Sequence, residues 1–254
     1  MKSKVVNNPL RNVKMALEYD GTNYCGFQTQ KNGVTIQSVL EKSFAKILGK
    51  RIPIIASGRT DAGVHAVGHV FNIKAEFPMD DGQLLMGINS ILPNDIAVKS
   101  VKTVDKSFHA RKDARWKKYR YVIINSKVPS PLQARTSWRV PMPLDVKSMR
   151  EAATCLVGEH DFFSFMGKRS SVKTTVRNII SLTVKKTGER LVVEIVANGF
   201  LKYMVRIIVG TLVEVGKGNL TSADVKKILK AKNRNVAGPT APPHGLCLIE
   251  VSYE

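Results

Sequence analysis

Acidic residues are scarce in this 254-residue chain: 20 Asp and Glu stand against 40 Lys and Arg, a formal net charge of +20. That imbalance argues against a cationic partner and for a polyanion, most often nucleic acid. Cysteine is scarce as well. Cys25, Cys155 and Cys247 are odd in number and far apart, so they offer neither a disulfide framework nor zinc-site spacing, and they fit a reducing, cytoplasmic compartment. No run of about 18 uncharged apolar residues occurs, so no membrane span is expected. The N-terminal stretch MKSKVVNNPLRNVK has no long apolar core and does not read as a signal peptide. Walker loops, dinucleotide fingerprints and Ser-His-Asp patterns are absent too.

What is present suffices for a sizeable core. Apolar residues make up 43% of the chain, which excludes a disordered protein and suits one large domain or two small ones. Residues 13–19 (VKMALEY) alternate as a strand does. Thr35 can cap a helix whose apolar positions Ile36, Val39, Leu40, Phe44, Ile47 and Leu48 share a face, with Gly49 to close it. Short strands are expected at 52–56 (IPIIA), 67–73 (VGHVFNI) and 96–104 (IAVKSVKTV), with a helix in DDGQLLMGINSILP that has aspartates at its start and Pro93 just past its end. The order β-α-β-β-α-β is that of a split βαβ, or ferredoxin-like, unit.

The second half repeats the order. A strand at 119–124 precedes a helix carrying Val146, Met149, Ala153 and Leu156 on one face. A hairpin (NIISLTV, LVVEIVA), a long apolar helix (LKYMVRIIVGTLVEVG), a further helix with a Thr221/Asp224 capping box and a closing strand (LCLIEVS) follow. The expected fold is therefore α+β: two ferredoxin-like subdomains, their mostly antiparallel sheets side by side, with an RNA cleft between them. Residues 1–12 form an N-terminal extension, 13–107 the first subdomain and 108–254 the second.

Three places in this frame can carry chemistry. In ASGRTDAGVHAVGHV (56–70), Asp61 follows an arginine and a threonine and is flanked by glycines. A carboxylate on such a loop can serve as nucleophile, general base or metal ligand; it can equally close an Asx-turn. Arg206 lies inside the apolar helix, where a guanidinium needs a partner. A carboxylate is the natural one, although the long stem could carry the charge to the helix end or to solvent. The segment FHARKDARWKKYRY interleaves Arg111, Lys112, Arg115, Lys117, Lys118 and Arg120 with Trp116, Tyr119 and Tyr121, so cations could track phosphates while aromatics stack bases. An ordinary strand with a solvated basic face reads the same way, and at least one of Tyr119 and Tyr121 is expected in the core. His65 and His69 have i, i+4 spacing, but Gly68 and the strand context argue against a helical zinc pair.

Taken together, these stretches resemble the tRNA pseudouridine synthase A (TruA) family. The resemblance is carried, in order, by YDGTNYCGFQTQ, TIQSVLE, ASGRTDAGVHAVGHV, INSILPNDIAV, FHAR, KYRY, GEHDFFSF, VRNI, FLKYMVRIIVG and APPHGLCL. It implies an enzyme that isomerises uridine to pseudouridine in the tRNA anticodon stem-loop, at tRNA positions 38 to 40, without cofactor or metal. It implies that Asp61 is the essential aspartate, that Arg59 helps to flip the base, that Tyr119 stacks on it and that Arg206 pairs with the aspartate. Arg111, Lys117, Lys118 and Arg120 are the further RNA-binding candidates. A homodimer with one tRNA contacting both subunits is implied as well.

The chain departs from the family's usual pattern at Phe27, Lys112, Asp113, Lys202, Tyr203 and Ile207. Two other readings are open: an RNA-binding protein using the same basic groove without chemistry, and a metal-dependent nuclease built on Asp61 and the nearby histidines. If Lys and Arg displace counterions from phosphates, tRNA affinity measured by filter binding falls steeply and log-linearly as salt rises. A flat salt response would contradict the assigned basic surface.

Overall fold

A computed structural model describes residues 9–168 and 172–254. The first eight residues of the expected N-terminal extension lie outside the described residues. The chain divides into two compact units, one running to Ala114 and taking in Tyr253, the other running from Arg115 to Ser252.

The first unit is built from β1 (Leu10–Tyr19), α1 (Ile36–Leu48), β2 (Ile55–Ala56), β3 (His65–Glu76), α2 (Asp81–Asn89) and β4 (Ile96–Val104). Its strands lie in the order β4-β1-β3-β2, all antiparallel. Alternation in β1 buries Val13, Met15, Leu17 and Tyr19. α1 starts at a reciprocal Thr35/Ser38 capping box and ends at a left-handed Gly49. Its fully buried face is Ile36, Leu40 and Phe44, while Val39, Ile47 and Leu48 sit half-buried at the margins.

Two elements are shorter than the pattern suggests. β2 spans only Ile55–Ala56, because Pro53 has no N–H to donate to a ladder. α2 stops at Asn89 rather than running up to the residue before Pro93, and the Asn89 side chain bonds both backbone groups of Val98 on β4 (2.8 and 2.9 Å). β1 is longer, beginning at Leu10 rather than Val13.

A buried amide pair fixes the segment that leaves β4. Asn12 Nδ2 donates to the carbonyls of Asp105 (2.8 Å) and Phe108 (2.9 Å), and Asn72 Nδ2 donates to Asn12 Oδ1 (2.7 Å). Asn72 Oδ1 in turn accepts from Ala110 N (2.9 Å). Tyr253 covers the same segment, its hydroxyl donating to Ala110 O (2.8 Å) and its ring 4.2 Å from the Lys14 ammonium.

The second unit contains β5 (Trp116–Ile124), β6 (Trp138–Arg139), α3 (Val146–Thr154), β7 (Gly158–Asp161), β8 (Val176–Thr187), β9 (Arg190–Ala197), α4 (Met204–Gly216), α5 (Ser222–Ala231) and β10 (Leu246–Ser252). Its sheet runs β10-β5-β9-β8-β7, with β6 paired in parallel to β5. β6 and β7 are additions to the expected order, too short to leave a periodic pattern. α4 begins at Met204, three residues later than the apolar run, because Tyr203 adopts a left-handed conformation (φ 62°). No helix among the described residues is long and apolar enough to cross a membrane.

α4 is the core of this unit, with Ile207, Ile208, Val209, Leu212 and Val213 fully buried. The chain at 238–241 crosses it closely. Thr211 Oγ1 donates to Ile207 O (2.8 Å) and accepts from Gly238 N (3.0 Å). A Cβ on Gly210 would lie 1.8 Å from Pro239 O. Gly210→Ala must therefore push the crossing chain off the helix, and overpacking of this kind costs about 1–3 kcal/mol. Urea unfolding would measure the loss; an unchanged midpoint would show that the crossing segment yields without cost.

Candidate active site

In the first unit the segment between β2 and β3 carries Arg59 and Asp61. Its base is tied by Ser57 N to Val70 O (2.8 Å). Its middle is held at Thr60, whose carbonyl accepts from Phe27 N (3.1 Å) and whose buried hydroxyl bonds the Tyr19 hydroxyl (2.7 Å). Its far side is closed by Gly63 N to Tyr24 O (3.3 Å) and Val64 N to Asp61 O (3.2 Å). The 20–33 loop can approach this closely only because Gly26 is left-handed (φ 89°); a Cβ there would lie 2.8 Å from Thr60 O. Tyr24 is anchored in turn by Asp95 (2.5 Å), and burial followed by that carboxylate pushes its phenol above the usual range. The outcome is a backbone clamped on both sides of a half-buried Asp61, beside an exposed Arg59.

The two histidines belong to the support of this loop. Both lie on β3, so the helical spacing is not realised. His69 is fully buried, with Nε2 3.3 Å from Gly58 O and its ring edge-on to Phe27 (4.1 Å) and Tyr19 (5.9 Å). Phe27, one of the unusual residues, is thus the platform under the loop. His65 Nδ1 lies 3.1 Å from both Gly21 N and Asp20 Oδ1. Among the described residues no three His, Cys, Asp or Glu side chains gather as metal ligands would. Arg111 is exposed in the turn after Ala110, where its backbone N–H donates to His109 Nδ1 (3.2 Å).

In the second unit Tyr119 stands on β5 opposite Ile195 of β9 and Leu248 of β10. It is 9% exposed, its ring meeting the edge of Phe200 (5.0 Å, 84°). Tyr121, on the same face, is fully buried and donates to Pro242 O (2.7 Å). Burial pushes its phenol far above the usual range, against the opposing pull of the Arg206 charge. Both tyrosines are therefore in the core, with Tyr119 at its rim.

Arg206 is half-buried, its Nε donating to Ala241 O (2.7 Å) and its guanidinium 5.0 Å from the Tyr203 ring centroid. Tyr203 holds its left-handed backbone at a cost of about 1–2 kcal/mol for a residue with a Cβ.

The basic strand does not act as one patch. Strand alternation puts Lys117 on the Tyr119 face and Lys118 and Arg120 on the other. There Arg120 donates through Nε and Nη2 to Glu194 Oε1 (3.0 and 2.9 Å), with Lys118 3.4 Å from the same oxygen. Burial raises the Glu194 pKa, but these two cations outweigh it and hold the carboxyl below its usual range. Glu194, Tyr19, Thr60 and Phe200 are contributors that motif reading missed. Only Glu194 leaves a signal, as the single acid in the apolar run LVVEIVA.

A family model described as tRNA pseudouridine synthase matches residues 15–112 and 152–254. The tRNA pseudouridine synthase A of Thermoanaerobacter sp. (strain X514) is 46% identical over 244 residues, covering 96% of this chain and 100% of the relative. That of Geotalea uraniireducens (strain Rf4) is 46% identical over the same length and the same shares. Among solved structures, a chain in the crystal structure of a Cbf5-Nop10-Gar1 complex aligns with a TM-score of 0.37 and 13% identity, covering 93% of this chain and 48% of that one.

The clamp on the Asp61 loop has a measurable part. Tyr19→Phe removes the partner of a buried hydroxyl and lowers stability by about 1 kcal/mol in urea unfolding. Amide exchange across 58–64 accelerates more than in the strands. Uniform exchange in parent and variant would mean the loop does not depend on that bond.

Proposed function

The chain belongs to the tRNA pseudouridine synthase family: it is an isomerase of uridine in tRNA, and we propose that it acts on the anticodon stem-loop, at positions 38 to 40, with Asp61 as its catalytic carboxylate. The observation that carries the reading is the Asp61 loop itself. A carboxylate held on a backbone fastened at Ser57, Thr60, Gly63 and Val64 is pre-organised, so little rearrangement is needed when the target nucleoside arrives.

The reaction breaks the bond from ribose C1′ to the base nitrogen, turns the retained base and rejoins it through carbon. Nothing is oxidised or reduced, so the chemistry calls for no redox cofactor. A stacked and paired nucleotide hides its glycosidic bond, so the base must leave the helix first. Exposed Arg59, two residues from Asp61, is suited to fill or wedge the space the base vacates. Tyr119 at the rim of its core, steadied by Phe200, offers a ring for the extruded uracil.

Arg206 is the partner of Asp61 in this scheme. A guanidinium beside that carboxylate favours its ionised form, as attack or proton abstraction requires, and because Nε is taken by Ala241 O the Nη edge is the part left for pairing. Both units follow the strand order of a ferredoxin-like fold: β4-β1-β3-β2 in the first, β10-β5-β9-β8 in the second. This supports two such subdomains. A homodimer sharing each tRNA, working in the cytoplasm, completes the proposal.

Incubation with unmodified anticodon stem-loop RNA and with full-length tRNA transcripts, followed by pseudouridine mapping, tests it directly. The parent forms product at positions 38 to 40. Asp61→Asn lowers the rate by at least about 10²-fold while tRNA affinity stays unchanged. Product formation that survives the substitution, or modification confined to other sites, would sink the assignment.

A further inference from the structure

Tyr203 combines three features that general packing does not ask for. Its backbone is left-handed (φ 62°, ψ 4°), which a residue with a Cβ rarely adopts, and it stands at the position that starts α4. Its ring is seated against Gly167, where a Cβ would lie 2.5 Å from Tyr203 Cδ2, while Gly167 N donates to Lys202 O (2.8 Å). The ring carries two cations: the Arg206 guanidinium and the Lys202 ammonium each lie 5.0 Å from its centroid. Any side chain on Gly167 would displace the ring, and a helical or extended backbone at Tyr203 would swing it away from Arg206.

Arg206 is thereby held from two directions. The Ala241 carbonyl takes Nε–H, which fixes the in-plane rotation of the guanidinium. The Tyr203 ring lies against the group and limits its tilt. A planar fork with both rotations restricted can present its Nη edge in only one orientation, and that edge is what bidentate carboxylate pairing uses. Lys202 on the same ring adds positive charge that disfavours a swing of Arg206 toward it.

We propose that Tyr203 is a positioning residue for the reaction: its strained backbone and Gly167-seated ring orient Arg206, which in turn orients the catalytic carboxylate. The inference rests on the reading of Arg206 given above, and the experiment separates the two. Single-turnover rates and tRNA dissociation constants are measured on the full chain for Tyr203→Phe, Tyr203→Leu, Tyr203→Gly and Arg206→Lys, and for Tyr203→Leu combined with Arg206→Lys. All are assayed well below their melting midpoints.

Tyr203→Phe keeps the ring and runs within about twofold of the parent. Tyr203→Leu loses the face and slows at least about tenfold with an unchanged dissociation constant. Tyr203→Gly suits the left-handed backbone better than tyrosine, yet slows equally, which a merely structural role would not produce. In the Arg206→Lys background the Tyr203→Leu change costs much less than in the parent, because the group it positions is already altered.

Full rate in Tyr203→Leu together with a slow Arg206→Lys overturns the proposal and spares the reading of Arg206. Full rate in Arg206→Lys overturns that reading and the proposal with it. Equal cost of Tyr203→Leu in both backgrounds, or a rate loss matched by lost affinity, also overturns the positioning role.

Discussion

One buried bond between two hydroxyls organises the first unit around the loop that carries Asp61. Tyr19 ends the strand whose alternation forms the core, and at 2.7 Å its phenol holds Thr60, the neighbour of Asp61. The order of the sheet is thereby transmitted to the loop. Thr60 serves twice, since its carbonyl also receives Phe27 N and brings the 20–33 segment under the loop. The aromatic layer of Tyr19, Phe27 and His69 then fills the space below. A loop so supported can carry an acid side chain without the conformational freedom that loops usually have. The second unit solves a matching problem, a cation at the end of its most buried helix, by giving Arg206 a carbonyl and a ring to rest on.

Charge is distributed less simply than the total of +20 suggests. Arg120 and Lys118 share the Glu194 carboxylate across the strand pair, and Arg11 meets Asp81 at 2.5 Å with its guanidinium over Phe77. A cation engaged in such a pair reaches a phosphate only by sharing or breaking it. Arg111 stands differently, exposed on a turn whose backbone is anchored by the Asn12–Asn72 amides.

The strands with clear alternation and the helices with side-chain caps could be read from the residues alone. β4 and β10 run over the segments their patterns mark, and Thr35 and Thr221 cap α1 and α5 as their spacing indicates. β6 and β7 could not, because two and four residues carry no periodicity and their pairing depends on distant partners. Asp61, Tyr119 and Arg206 stand out by motif and by context. Their supports do not. The Ala241 carbonyl lies 35 residues beyond Arg206 and offers no side-chain signal. Glu194 meets Arg120 through a register set by the whole β5–β9 pairing. Tyr203 reads as part of the apolar helix LKYMVRIIVGTLVEVG; its left-handed backbone and its ring packed against Gly167 leave no signal in the sequence.

The crossing of residues 238–241 over α4 has a consequence for how this chain can vary. A Cβ at Gly210 would meet Pro239 O at 1.8 Å, and one at Gly238 would meet Thr211 Cα at 2.6 Å, so each position admits hydrogen alone. Neither glycine takes part in the chemistry proposed for Asp61. A side chain at either must push backbone aside, so the sequence here is constrained by room between two chain segments, through stability and not through catalysis.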